Sequence, residues 1–293
     1  MRSFLRKLRS RLLAADGAGI RAHRFDDRAT LESISRRECQ MLYLGDQIAV
    51  CRVLGTFIMY VDSQEYGIAP HLCLDGYWEP WITLALARTI RPGWRCVDVG
   101  ANYGYYTLLM AEAVGAGGMV LAAEPNPHLA ELLRRNVSVN GFLRSTTFLA
   151  KAISERNAGS VSFVVPEGNR SMNGTLCMAA GAGDRVYDVE TVTLDDAIAD
   201  WPRVDFIKVD AEGAEEAIWR GMQRTLQRSP DVTIVMEVNA LKYGDPARFF
   251  RGISEAGFPL RYIDYDSEIK EVSEGELVSN PSGLDSMLFL RKG

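Results

Sequence analysis

The sequence predicts an α/β protein with a mainly parallel, seven-stranded sheet, an antiparallel edge hairpin, and a small β-containing appendage at its N-terminal end. Three observations carry this reading. From residue 95 onward, short uninterrupted apolar segments alternate with amphipathic helical stretches, as in a parallel sheet covered on both faces. The 293 residues are 47% hydrophobic and 24% charged, enough material for a large core. The stretch VDVGANYGYYT (97–107) ends an apolar run in an acid and then sets glycines at 100 and 104 before a helix-compatible segment.

The elements follow in order. MRSFLRKLRSRLLAADG opens the chain, with Phe4, Leu5, Leu8, Leu12 and Leu13 on one helical stripe and Arg2, Arg6, Lys7, Arg9 and Arg11 around it. These charges interrupt any signal-peptide core, and no uncharged apolar stretch has transmembrane length. Two readings of residues 1–13 stand side by side: a basic amphipathic helix resting peripherally on anionic membrane, or one docked on its own domain or on a twin subunit in a homo-oligomer. IAVCRVLGTFIMYVDS (48–63) reads as two strands turning at Leu54-Gly55. Gly67, Pro70 and Gly76 punctuate the next stretch, a helical pattern runs from Trp81 to Ile90, and Arg91-Pro92-Gly93 ends it. The boundary between appendage (1–75) and main domain (76–293) is placed here. Strands are then expected at 95–99, 119–124, 146–153, 204–210, 231–238, 260–264 and 287–291, with helices near 103–114, 127–138, 213–227 and 246–256. A hairpin-like pair at 161–165 and 189–194 flanks a glycine-rich loop. The last two strands, joined without a clear helix, are the expected edge hairpin.

Composition excludes some classes of function. A net charge of -5 argues against binding to nucleic-acid backbone, which calls for a basic excess. Cysteines at 39, 51, 73, 96 and 177 are odd in number and form no CxxC pair, so neither a disulfide framework nor a zinc site is indicated, and a reducing cytoplasm is expected.

Ligands of parallel sheets bind beyond the carboxyl ends of the strands, where strand order reverses. Asp98 should end the first main strand, while Gly100 and Gly104 would let a ligand approach bare backbone, with Asn102 and Tyr105 in the same turn. Glu124 closes the next strand, suitably placed to accept hydrogen bonds from both hydroxyls of a ribose. Asn126 doubles as a helix cap before Pro127. A dinucleotide fingerprint is missing, because Asn102 stands where a second glycine would be, and no lysine phosphate loop is present. A carboxylate at the strand tip would repel phosphates but suits an amino group and a sulfonium, the two charges of S-adenosylmethionine. Ala152, past the third strand, is placed against the adenine.

The runs VDVGANYGYYTLLMA, AAEPNPHLAELLRRNVSVNGF, VDFIKVDAEGAEEAIWRGM and VTIVMEVN together resemble the FkbM family of S-adenosylmethionine-dependent methyltransferases. The resemblance covers roughly residues 76–290, and the IKxDxEGxE segment Ile207–Glu215 is its specific part. It implies a Rossmann-like class I methyltransferase fold and O-methylation of a sugar, a polyketide or another secondary metabolite.

An acceptor hydroxyl must lose its proton as it attacks a methyl group, which calls for a general base or a divalent cation. Asp210, Glu212 and His71 are the candidate bases, and Asp210 is also expected to contact the cofactor. Lys208, inside an otherwise apolar strand, needs a carboxylate partner, either Asp210 or Glu237. Asp210, Glu237 and Asn239 form an oxygen-rich trio apt for Mg2+. His23 and His128 are expected at the surface. Of Tyr77, Trp78 and Trp81, Trp78 is the candidate stacking platform for a sugar ring. The loop 166–188 reads as a lid, with Arg170, Asn173 and Arg185 offering hydrogen bonds to the acceptor. The Asn/Asp-Pro-Pro-aromatic motif of base-methylating enzymes is replaced by Asp-Ala-Glu-Gly at 210–213. The rival readings are a non-catalytic nucleoside-binding scaffold at a membrane surface and an RNA ribose methyltransferase.

Overall fold

A computed structural model describes residues 27–165, 174–176, 180–280 and 282–292, so the expected helix at 1–13 lies outside the described residues, as do Arg170 and Asn173. In chain order the elements are α1 (Arg28–Glu38), β1 (Met41–Gly45), β2 (Ile48–Val53), β3 (Phe57–Asp62), α2 (Ala69–Leu74), α3 (Pro80–Thr89), β4 (Arg95–Val99), α4 (Tyr105–Val114), β5 (Met119–Ala123), α5 (Pro127–Val139), β6 (Thr146–Leu149) and β7 (Ala152–Ile153). They continue with β8 (Ala158–Val165), β9 (Thr175–Leu176), β10 (Arg185–Val192), α6 (Leu194–Ala197), β11 (Phe206–Val209), α7 (Glu215–Arg220), α8 (Gln223–Arg228), β12 (Thr233–Val238), α9 (Pro246–Glu255), β13 (Arg261–Ile263), β14 (Ile269–Glu271), α10 (Glu274–Ser279) and β15 (Ser286–Leu290).

The main sheet has eight strands in the order β14-β13-β15-β12-β11-β4-β5-β6. β6, β5, β4, β11 and β12 run parallel, and their order reverses between β4 and β11. Alternation along these strands splits the core between the two faces. Cys96, Val120, Phe206 and Val235 pack on one side with α3, α4 and α5, while Val97, Leu121, Ile207 and Ile234 pack on the other with α7, α8 and α9.

Four expectations are corrected. β13 and β15 are antiparallel neighbours, but β15 sits inside the sheet against β12, and the short β14 supplies an eighth strand at the edge. Their connection does contain a helix, α10, held by a capping box of Ser273 and Glu276; the S-x-x-E spacing was the legible signal. The segment 146–153 splits, because β7 leaves the main sheet and pairs parallel with β10 in a second sheet, β7-β10-β8-β9. The expected helix 213–227 breaks into α7 and α8 at Gly221, where a Cβ would lie 2.1 Å from the Ser154 carbonyl oxygen, so the chain is pinned against its neighbour.

The residues before 75 add α1 and a third strand, β1, to the expected hairpin. They share one continuous core with the main domain: Leu31, Val53, Met59 and Leu72 pack with Leu84, Leu108 and Leu133. Polar contacts seal the junction. Asn136 and Asn140, one turn apart on α5, bond to the exposed edge of β3: the Asn136 side chain accepts from Tyr60 N (2.7 Å) and donates to Tyr60 O (3.0 Å) and Tyr103 O (2.9 Å). Asn140 repeats the exchange at Ile58 N (3.0 Å) and Ile58 O (2.7 Å). Two amide side chains thus act as a surrogate strand that satisfies a sheet edge. Asn136→Ala would leave buried backbone groups of Tyr60 and Tyr103 without partners and should destabilise the fold by about 3 kcal/mol, read as a lowered urea midpoint.

Candidate functional site

A crevice opens beyond the carboxyl ends of β4, β5 and β11, at the reversal of strand order. Its floor is the turn after β4. Gly100 and Asn102 both hold left-handed backbone, at φ 73° and 51°. The structure corrects the role of the glycines. A Cβ on Gly100 would sit 1.8 Å from the Asp210 carbonyl oxygen, and one on Gly104 would meet Leu133 Cδ1 at 2.5 Å. Both glycines therefore serve close approach of protein to protein; Gly100 still lines the crevice and Gly104 does not. Asn102 turns its Oδ1 to accept from Tyr103 N (2.7 Å), a local bond that supports its left-handed backbone.

Glu124, at the tip of β5, lines the crevice. Its two oxygens accept from Asn102 N (2.8 Å) and Asn126 N (2.9 Å), which fix the carboxylate in place. Burial pushes its pKa up to about 7 against the pull of those two bonds. Asn126 caps α5 through His128 N and does not reach the crevice.

Asp98 does not reach it either. Its carboxylate is fully buried, accepts from Thr107 Oγ1 (2.6 Å), and lies 4.0 Å from Lys208 Nζ. Burial raises the Asp98 pKa, and the neighbouring Lys208 charge works against that rise. The second partner of Lys208 is Asp210, at 3.0 Å, rather than Glu237. Register explains the trio: β11 and β4 pair Lys208 with Asp98, and Asp210 follows two residues later on the same face. Burial pulls the Lys208 pKa down, but the charges of Asp210 and Asp98 outweigh it, so the ammonium holds its proton more tightly than usual. The Tyr106 ring lies 4.9 Å from that ammonium. Lys208, Asp210, Tyr105 and Tyr106 all line the crevice.

Around Asp210 stands an acidic cluster. Asp210, Glu212 and Glu237 each offer a carboxylate oxygen within 4.8 Å of the others. Glu212 replaces Asn239 in the expected oxygen trio, for Asn239 is occupied elsewhere: its amide caps the 3-10 turn Ala240–Lys242 and bonds Gly283 O, Asp285 and Asn280. A cation is already present among the acids. Lys242 Nζ lies 3.1 Å from Glu212, 3.2 Å from Asp285 and 3.5 Å from Glu237. Burial, then the Asp210 and Asp285 charges, raises the Glu237 pKa.

Glu79, which stands behind the lining residue Tyr106, is a group that sequence reasoning missed. It takes left-handed backbone (φ 37°) before Pro80, and its Oε2 accepts from Tyr106 OH (2.7 Å). Burial, then the Asp210 charge, pushes its pKa up to about 7. The legible signal was an acid wedged between aromatics and a helix-starting proline in YWEPW. Ala152 lines the crevice with Ile153 and Phe163, as an apolar slot. Trp78 lines it too, backed by His71 at a centroid distance of 5.2 Å. His71 itself is outside, half exposed and paired with Asp75. Tyr77 is buried and Trp81 packs on Tyr265, as core residues do. His128 is not a free surface residue, since it pairs with Asp62. Arg185 begins β10, exposed, away from the crevice.

The family model of the methyltransferase FkbM domain matches residues 98–264, more than half of the chain. The chain belongs to the FkbM methyltransferase family. Among curated relatives of this FkbM methyltransferase, protein-L-isoaspartate O-methyltransferase of Aeropyrum pernix is 46% identical over 52 residues, 18% of this chain and 20% of that protein. Methyltransferase sdnD of Sordaria araneosa is 28% identical over 155 residues, 43% of this chain and 59% of that protein. The chain thus spans from about a fifth to about three-fifths of the length of these relatives. A SAM-dependent O-methyltransferase of known structure from Thermotoga maritima aligns with a TM-score of 0.41 at 16% identity, over 74% of this chain and 65% of that one.

The crevice fits the cofactor this family implies. Glu124 would present an acceptor to ribose hydroxyls, and Ala152, Ile153 and Phe163 would hold a base in their apolar slot. Three lining carboxylates, Glu124, Asp210 and Glu212, disfavour a diphosphate and favour a cationic tail. Ribose hydroxyls donate to the ionised carboxylate, which Glu124 holds only above about pH 7. Affinity for S-adenosylhomocysteine, measured by calorimetry, should therefore fall by up to about tenfold per pH unit below that value. The Glu124→Gln variant should bind weakly, with that acid-side decline flattened.

Proposed function

We propose that this protein transfers a methyl group from S-adenosylmethionine to a hydroxyl of a sugar, glycan or secondary metabolite. The observation that carries the reading is the Asp210 carboxylate at the tip of β11. It lines the crevice and is held by a fully buried Lys208. S-adenosylmethionine, when bound, supplies an electrophilic methyl group. Glu124 and the slot at Ala152 fix the nucleoside, so that the position of the reacting methyl is set by rigid strand tips. Asp210 takes the acceptor hydroxyl proton as the oxygen–carbon bond forms and the carbon–sulfur bond breaks. Lys208 orients Asp210 and keeps it compensated in a buried setting, and Trp78 offers an aromatic face on which a sugar ring can stack.

The acid cluster favours one second reading. With Asp210, Glu212 and Glu237 converging within 4.8 Å, a divalent cation would take the place of Lys242 and lower the acceptor pKa directly. The net charge of -5 weighs against an RNA ribose as acceptor. No described helix is long and apolar enough to cross a membrane, so membrane contact by the scaffold reading rests on residues 1–13.

Methyl release from labelled cofactor over a panel of sugars and hydroxylated metabolites tests the proposal. Tight S-adenosylhomocysteine binding with no turnover on any acceptor would transfer support to the scaffold. On an active acceptor, Asp210→Asn should lower kcat by about 10²–10⁴-fold, a larger loss than any weakening of cofactor binding. Full activity in excess EDTA is expected for the general-base route, whereas loss of activity restored by Mg2+ would establish the cation route.

A further inference from the structure

The three-stranded sheet β1-β2-β3 has two edges, and the molecule treats them differently. The β3 edge is sealed by Asn136 and Asn140. Among the described residues nothing pairs with the β1 edge, and its strand, MLYLG, is apolar on both faces. Met41, Leu42, Tyr43 and Leu44 are 52%, 62%, 56% and 47% exposed. Natural edge strands are ordinarily guarded by lysine, proline, a bulge or brevity; β1 has neither lysine nor proline, and its one irregularity falls at its end, between Tyr43 and Gly45, leaving Met41–Tyr43 regular.

Backbone orientation on β1 is fixed by its partner. Met41 pairs with Cys51 and Tyr43 with Ala49, while Arg52 N donates to Gln40 O at 2.9 Å. In an antiparallel ladder, bonded and non-bonded pairs alternate. Gln40 and Leu42 therefore turn their backbone groups toward β2, and Met41 and Tyr43 turn theirs outward. We propose that β1 is the interface of a homodimer, in which two copies pair antiparallel about a two-fold axis at Tyr43 and join their small sheets into one of six strands.

The strand is complementary to itself in that register. Tyr43 exchanges both backbone bonds with Tyr43 of the second copy and Leu42 comes opposite Leu44, the new ladder ending at the register shift before Gly45, whose backbone turns left-handed at φ 94°. Charge agrees as well. The strand MLYLG carries no charged side chain, so no like charges meet across the axis. Two-fold pairing of one patch with itself closes the assembly at two copies. The alternative occupant is the chain's own residues 1–26, whose apolar stripe at Phe4, Leu5, Leu8, Leu12 and Leu13 could cover one face of β1 but would leave its outward backbone groups unpaired.

Sedimentation and cysteine cross-linking of the full chain test the proposal. The wild type should sediment with twice the 32.5 kDa subunit mass. Leu42→Lys combined with Leu44→Lys should give a monomer that still binds S-adenosylhomocysteine, which shows the fold is intact. Tyr43→Cys should form a disulfide-linked dimer with diamide as oxidant, because bonded antiparallel pairs hold their Cα atoms about 5.5 Å apart. Met41→Cys should not, since its counterpart in the second copy lies four residues away, about 13 Å along the strands. The wild type supplies the background from native cysteines. A wild-type monomer, a dimer that survives the double lysine variant, or cross-linking at Met41→Cys in place of Tyr43→Cys would each overturn the proposal. Tyr43 amide protection in a monomer would assign the strand to a segment of the same chain.

Discussion

Lys208 carries a full charge in the middle of a parallel sheet, and the site depends on how that charge is answered. An isolated ammonium there would cost several kcal/mol in lost hydration. Asp98 from the adjacent strand and Asp210 from the end of its own strand both approach it, and Thr107 ties Asp98 to the helix above. The three charged groups thus bind β4, β11 and α4 together at the level where the crevice begins. Asp98 spends its carboxylate on this internal task. The acid that the motif places at the strand tip supports the crevice from below, and the acid that lines the crevice is Asp210.

A second constraint locks the same two strands. Gly100 lies so close to the Asp210 carbonyl that no side chain fits between them. The turn that carries Asn102 and the tip that carries Asp210 are therefore one packed unit, joined by backbone contact on one side and by the buried charges on the other. Such rigidity suits in-line transfer, in which small misplacements of the reacting atoms are costly. Glu124 is held to the same unit through Asn102 N, so the cofactor contact and the proposed base are positioned by a shared turn.

Beyond this unit the site is rich in carboxylates that burial and mutual repulsion drive toward the protonated form. Glu79 and Glu124 sit near pH 7, and Glu237 is raised as well. Lys208 and Lys242 are the counter-charges, the first beneath the crevice and the second among Glu212, Glu237 and Asp285. Perturbed acids concentrated at the end of a parallel sheet are the electrostatic mark of a working site. They also set its preference, favouring a positive cofactor tail and disfavouring phosphate groups.

The sequence by itself determined the alternation of strands and helices and the acid at the tip of β5, because apolar periodicity and strand-end chemistry are local properties, whereas the strand order whose reversal opens the crevice is set by packing. It also determined that Lys208 must be paired, since a charge inside an apolar strand has no other stable state. Only the tertiary structure decided which carboxylate met it, because Asp210 and Glu237 are equally near in type and differ only in register. The same holds for the split of 213–227 at Gly221, for the exit of β7 into a second sheet, and for the engagement of Asn239 with Asp285 and Asn280. Each turns on a contact between residues far apart in the chain, whose cost or benefit no local pattern encodes. Glu79 joined the site for the same reason: its neighbours Tyr106 and Asp210 arrive from elements that only packing brings together.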